Sequence, residues 1–223
     1  MIRPIETSYR GYRFRSRLEA RWAVWFDALK TSWLYEPEGF NLGPAGLYLP
    51  DFWLSDLDCW IEVKPEPPAA DQARRCMALA AQSSKAAVML VGTPGDEWLL
   101  IFRPDDMWIP RPGDLDPHFA LDGRGRLCIC SGSDRPGGAG KAWTAFKPRD
   151  ECRHDGRAQA ILLAAACAAR AARFEYGEQP QASPKSPAPR VVRAKPATKP
   201  AVKSAAARAG AKVAAAKRRS KRK

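Results

Sequence analysis

Histidine is nearly absent from this chain, with 2 in 223 residues. That excludes a metal or catalytic cluster built on several imidazoles. Long hydrophobic runs are missing too. The most apolar helical stretch, Ile161–Ala169, is Ala-rich, is closed off by Arg170 and Arg173, and falls far short of the roughly 20 residues a membrane span needs. The opening MIRPIETSYR has no apolar core, so no secretory signal is expected. Six cysteines, at 59, 76, 128, 130, 152 and 167, accompany no such signal and read as reduced intracellular thiols. No internal repeat of roughly 20–50 residues is evident. Together these absences predict a cytoplasmic protein without a membrane partner.

The most telling absence is of acid. Residues 181–223 hold 14 Lys/Arg and no Asp or Glu, although the whole chain carries 37 basic and 24 acidic residues for a net charge of +13. Residues 1–180 are therefore almost neutral, with 23 basic and 24 acidic residues. The length suits one ordinary domain with appendages, and eight Trp among 45% hydrophobic residues supply a core. A near-neutral body joined to a polycationic tail needs two separate explanations.

In the body, Ser16-x-x-Glu19 fits a capping box ahead of Leu18, Trp22, Trp25/Phe26 and Leu29 at helical spacing. Strand-like runs follow at Trp33–Tyr35, Phe40–Leu42, Leu47–Leu54 and Cys59–Lys64, with turn residues between them. A second helix is predicted over Ala69–Gln82, then apolar strands at Ala86–Val91 and Trp98–Phe102. The order α-β-β-β-α-β-β predicts an α/β body around a mixed sheet. Residues 104–117 read as loop, Phe119–Cys130 and Lys141–Phe146 as short strands around a Gly-rich turn at 131–140, and Asp155–Tyr176 as a helix. From Gln181 onward Pro, Ala and Lys/Arg dominate, a composition expected to stay disordered.

The segment LPDFWLSDLDCWIEVK, Leu49–Lys64, concentrates the chemistry. A hairpin turning at Ser55–Asp58 would set Leu54 opposite Cys59, Trp53 opposite Trp60, Phe52 opposite Ile61 and Asp51 opposite Glu62. Opposed residues share a sheet face with Cβ atoms about 5 Å apart, so two carboxylates would repel there. A divalent cation with oxygen ligands is the natural compensation. Lys64, two residues beyond Glu62, projects from the same face roughly 7 Å along. Glu19 lies within about 60° of Trp22, Ala23 and Phe26 on an ideal helix, so it leans toward the sheet and needs a partner.

The pattern FRSRLEARW … LPDFWL … WIEVKP resembles the PD-(D/E)xK nuclease superfamily, with Pro50-Asp51 and Glu62-Val63-Lys64 as its two halves. The acid-bearing helix followed by YEPEGF is most similar to the TnsA-like and phage resolvase-like branches, over roughly Tyr9–Phe102. The resemblance implies a restriction-endonuclease-like α-β-β-β-α-β core and Mg²⁺-dependent hydrolysis of DNA phosphodiesters, with Mn²⁺ as a substitute. It implies that Asp51, Glu62 and the Val63 carbonyl bind the metal. Glu19 would support it, and Lys64 would orient or deprotonate the attacking water or hold the phosphate. Branched, phage-replication or transposition-type DNA would be the substrate, and a homodimer the assembly.

Taken singly, each of these residues has an ordinary reading. Glu19 can be the capping acid of Ser16, Asp51 a turn residue after Pro50, and Glu62 and Lys64 the solvated face of an amphipathic strand. Their joint arrangement carries the functional reading. Arg13, Arg15, Arg17 and Arg21 stand at the start of the first helix, either as phosphate clamps or as an exposed basic face. Cys128, Cys130, Cys152 and His154 are potential zinc ligands at an unusual one-residue spacing, and His118 reads as structural.

The tail resembles linker-histone and bacterial histone-like tails through its SPK, AKP and AAAK elements and its terminal KRRSKRK. Its DNA-contacting residues would be Lys185, Arg190, Lys195, Lys199, Lys203, Arg208, Lys212, Lys217, Arg218, Arg219, Lys221, Arg222 and Lys223. Cations of this density bind phosphates without sequence preference, and engaging six to ten of them costs about 10³–10⁵ in affinity between 50 and 200 mM salt. The predicted organisation is a nuclease core over 1–104, an extension over 105–180 and a DNA-binding tail over 181–223, in a nucleoid-associated protein. The competing expectation is a non-catalytic DNA-condensing protein on a degenerate nuclease fold.

Overall fold

The computed structural model describes residues 5–104, 107–108, 117–130, 143–144, 147–148, 152 and 155–174. All of them belong to one compact unit, Met1–Val192. The basic segment 181–223 and His154 lie outside the described residues.

A short hairpin, β1 (Thr7–Tyr9) and β2 (Tyr12–Phe14), opens the chain. Its two-residue turn, Arg10–Gly11, has positive φ at both positions, the twist that suits tight hairpins. The hairpin delivers Phe14 to the core and Arg15 to the mouth of helix α1 (Arg17–Ala28). Ser16 caps that helix, its hydroxyl accepting from Glu19 N–H. Both faces of α1 are covered, so Glu19, Ala20 and every residue from Trp22 to Asp27 are buried.

The central sheet has six strands in the order β10-β9-β8-β7-β6-β3. They are β3 (Trp33–Tyr35), β6 (Phe52–Leu54), β7 (Cys59–Lys64), β8 (Ala86–Val91), β9 (Trp98–Phe102) and β10 (Met107–Trp108). Only β7 and β8 run parallel, joined through helix α2 (Ala70–Ser83); the other neighbours are antiparallel. A mixed sheet in an α/β body is therefore what forms. Strand β8, AAVMLV, is buried throughout, as an apolar run covered on both faces should be. Its alternate residues divide between two clusters. Ala86, Val88 and Leu90 join Ile61, Val63 and Phe52 beneath α1, while Ala87, Met89 and Val91 join Trp60 beneath Cys76, Leu79 and Ala80 of α2.

Several boundaries differ from the sequence expectation: the Phe119–Cys130 run is a hairpin of two strands and the last helix ends at Ala171. The run Leu47–Leu54 is not one strand. Leu47–Tyr48 forms β5, which pairs with β4 (Phe40–Asn41) as a separate hairpin, and β6 begins only at Phe52. Pro50 sits in the break, and its missing N–H cannot serve a ladder. The stretch read as loop after Arg103 contributes the two-residue edge strand β10.

The extension shares the main core. Strands β11 (His118–Leu121) and β12 (Leu127–Cys130) pair as a hairpin, short strands β13 (Trp143–Thr144) and β14 (Lys147–Pro148) pair with each other, and helix α3 (Gly156–Ala171) follows a cap by Asp155. Ala165, Ala166 and Ala169 of α3 pack in the same cluster as Trp22, Trp25 and Phe119; their small size lets the backbone of α3 approach the large rings of α1. No helix among the described residues is long and apolar enough to cross a membrane.

Candidate active site

The hairpin β6–β7 has the register expected from sequence: Leu54 pairs with Cys59, Trp53 with Trp60 and Phe52 with Ile61. One step further, Asp51 lies outside the paired strand, and its side chain reaches β7 with Oδ2 accepting from Val63 N–H at 2.7 Å. Asp51 and Glu62 are 3% and 7% exposed. Lys64 follows Glu62 on the same face, and its Nζ lies 2.6 Å from Glu62 Oε1. Its main chain is fixed by Gly92, whose N–H donates to the Lys64 carbonyl at 2.8 Å. Gly92 has φ +101°, and a Cβ there would lie 2.7 Å from the Asp96 carbonyl oxygen, so no other residue fits this turn.

Glu19 reaches the site from α1 and is 8% exposed. Its Oε1 accepts from Ser16 Oγ at 2.7 Å, and its Oε2 accepts from Tyr35 Oη at 2.6 Å and from Arg15 N–H at 3.1 Å. The capping role and the inward lean thus coexist. Both Glu19 oxygens are engaged, and Glu19 acts on Asp51 through its charge.

Of the four helix-start arginines, Arg15 enters the cluster. Its Nη2 lies 2.7 Å from Asp51 Oδ1 and its Nε 2.6 Å from Glu36 Oε1. Arg13 pairs with Glu6 at the surface, and Arg21 Nε is buried without a hydrogen-bond partner. Sequence reading missed Glu36 as a site residue. The signal lay in Tyr35-Glu36-Pro37, where Glu36 takes a positive φ of 44° just after β3, an uncommon conformation for a residue with a side chain.

The electrostatics are unbalanced. Burial raises the Asp51 carboxyl pKa well above its ordinary value, the charges of Glu62 and Glu19 raise it further, and the Val63 N–H and Arg15 offset this only in part. Burial also raises Glu36, more than Arg15 lowers it. For Lys64, burial acts downward, yet the adjoining Glu62 and the Asp51 charge leave its pKa raised, so it is an ammonium at neutral pH. Glu62 Oε2 is buried and has no hydrogen-bond partner. Beside it Tyr48 Oη lies 3.4 Å from Cys76 Sγ. Burial, with the Glu62 charge adding, pushes the Cys76 thiol up to about 12, so this wall of the site is neutral.

Among the described residues no group of three or more His, Cys, Asp or Glu side chains is arranged to hold a metal ion. The unit the fold does provide is the two-acid pair Asp51 and Glu62. In the extension, Cys128, Cys130 and Ala120 form a small buried cluster with Cys152 against it, and the Cys128 and Cys152 sulfurs are 3.2 Å apart. These are contacts of neutral thiols: the contact with Cys128 acts downward on Cys152, but the neighbouring Cys130 group and burial together outweigh it and push the thiol up to about 12. Comparison of the chain with protein-family models, with curated proteins and with solved structures returns no match.

Proposed function

We propose that this protein is a metal-dependent DNA endonuclease of the PD-(D/E)xK type, tethered to its substrate by its cationic tail. One observation carries the reading. Two buried carboxylates, Asp51 and Glu62, stand close enough that the Glu62 charge adds to the cost of ionising Asp51, and Glu62 keeps a buried oxygen that no hydrogen bond of good geometry satisfies. A fold gains no stability from such a pair, since an unpaired buried acceptor costs about 1–3 kcal/mol. A hard divalent cation answers the demand: the donors are oxygen, negative charge is in excess, and an acceptor stands open.

Asp51 and Glu62 would hold Mg²⁺, which when bound supplies an activated water and stabilises charge at a phosphate. Glu19 fixes the Arg15 main chain at the mouth and adds to the negative field. Lys64, an ammonium locked beside Glu62, serves as a point cation for the scissile phosphate or for orienting water, not as the base. The restriction-endonuclease-like character of the core, the homodimer and the preference for branched DNA belong to the same proposal and rest on the sequence resemblance.

The composition of 181–223 supports a second reading, a non-catalytic DNA-condensing protein, because 14 cations without an acid suffice for binding. The test is cleavage of linear, supercoiled and four-way-junction DNA with Mg²⁺ or Mn²⁺. The nuclease reading expects cutting that falls about a thousandfold or more in Asp51→Ala and Lys64→Ala, equivalent to about 4 kcal/mol. It also expects cutting to survive deletion of 181–223 at low salt. Identical behaviour of wild type and both variants sinks it.

A further inference from the structure

Part of the charge of the acid cluster is already offset, and by a side chain placed at the surface. Arg15 is 56% exposed along its side chain, yet it spans from Asp51, 4% exposed, to Glu36, 23% exposed. Its main chain cannot drift, because Arg15 N–H is held by Glu19 Oε2 and Tyr35 Oη, each at 3.1 Å. The guanidinium, in contrast, is held by buried Asp51, by Glu36 and by the Tyr35 side chain, and is itself more than half exposed, so that water screens its ion pairs in part. Such a group is anchored at its root and releasable at its tip. The Arg10–Asp27 pair at the far end of α1 is of the opposite kind, with side chains 11% and 7% exposed.

Both Asp51 oxygens already accept a hydrogen bond while this contact stands, Oδ2 from the Val63 N–H and Oδ1 from Arg15, whose positive charge opposes the approach of a second cation. A cation entering beside Glu62 Oε2 would need Asp51 Oδ1 as well. Resting on the reading of Asp51 and Glu62 as a divalent-cation site, we propose that Arg15 is a built-in counter-cation that occupies Asp51 until a divalent ion displaces it, and that the freed guanidinium then takes a DNA phosphate. Metal loading and substrate binding are thereby coupled through one side chain. Without metal, Arg15 offsets part of the carboxylate charge and is withheld from DNA. With metal, the carboxylates are satisfied and a fork of donors suited to phosphate becomes available at the same mouth. Arg15 is on this account a positioning residue for both ligands.

The test is Mn²⁺ binding to the full chain, read by the loss of the free-ion electron paramagnetic resonance signal. Wild type is compared with Arg15→Gln, Arg15→Lys, Glu62→Gln and, as a remote loss of one cation, Lys85→Gln. Arg15→Gln is expected to bind Mn²⁺ tighter than wild type, within the 5–150-fold span of ordinary coupling between sites, roughly tenfold or more. Arg15→Lys, which lacks the fork, is expected between the two, and Lys85→Gln at the wild-type value. A gain in affinity is what simple structural damage does not produce. In a second readout, Ca²⁺ is expected to tighten binding of a short DNA duplex by wild type and to have a smaller effect on Arg15→Gln. Equal or weaker Mn²⁺ binding by Arg15→Gln, with Glu62→Gln still abolishing it, overturns the counter-cation and leaves the metal site standing. Mn²⁺ binding that ignores Glu62→Gln overturns the site itself.

Discussion

Asp27 and Asp51 are both buried acids, 5% and 3% exposed, at opposite ends of the α1 layer. Asp27 is fully served: Tyr9 Oη donates to Oδ2 at 2.7 Å, Trp33 Nε1 donates to Oδ1 at 3.0 Å, and Arg10 closes the cage. Asp122, 1% exposed, is served likewise by the Arg124 and Arg126 main chain and the Arg126 guanidinium. Burial alone would raise its pKa, but those donors win and leave it lowered. At Asp51 the same contest ends the other way, because burial and the charges of Glu62 and Glu19 outweigh the Val63 N–H and Arg15. The difference separates acids that build the fold from an acid the fold tolerates for another purpose.

Asp27→Ala should be the most damaging change in the protein. It removes the carboxylate beside a largely buried guanidinium and leaves the Tyr9 and Trp33 donors without their acceptor, a class of loss worth about 3–5 kcal/mol. Urea unfolding should show that loss with no dependence on added metal. Gly92→Ala comes next. The steric conflict with the Asp96 carbonyl and the positive φ should cost about 1–3 kcal/mol, and because Gly92 holds the Lys64 carbonyl, cleavage should fall along with stability.

Asp51→Asn has the smallest effect and the opposite sign. In the metal-free protein Asp51 holds a proton more tightly than it does in the unfolded chain, so its contribution is most favourable in acid and declines as pH rises from the ordinary carboxylate range toward its raised folded value. Replacing it by a neutral isostere should therefore raise Tm at neutral pH. A gain of about 2–4 °C would correspond to about 1 kcal/mol in a domain of this size, and it should shrink toward zero on acidification. A scan of Tm against pH for both proteins checks this. A destabilised Asp51→Asn at neutral pH would place Asp51 with Asp27, among the structural acids.

Much of this was legible in residues alone, for identifiable reasons. The register of Phe52–Leu54 on Cys59–Ile61 follows from period-two alternation around a turn. Strands Cys59–Lys64, Ala86–Val91 and Trp98–Phe102 form as their apolar runs require. What stayed hidden depends on distant contacts. Asp27 lies in a helical pattern that gives no hint of Tyr9, Arg10 and Trp33 converging on it. Arg15 was one of four similar arginines, and only the β1–β2 hairpin decides which one faces Asp51. Glu36 enters through a left-handed backbone turn that no hydrophobic period encodes.

The central claim is that the Asp51–Glu62 pair is arranged to receive a divalent cation. It is tested most directly by thermal unfolding of wild type and Glu62→Gln at neutral pH, each with EDTA and with excess Mn²⁺. At a hundredfold excess over Kd the ion should add about 2.7 kcal/mol, and wild-type Tm should rise by about 5–10 °C while Glu62→Gln stays still. Equal shifts in the two proteins, or none in either, would contradict the account.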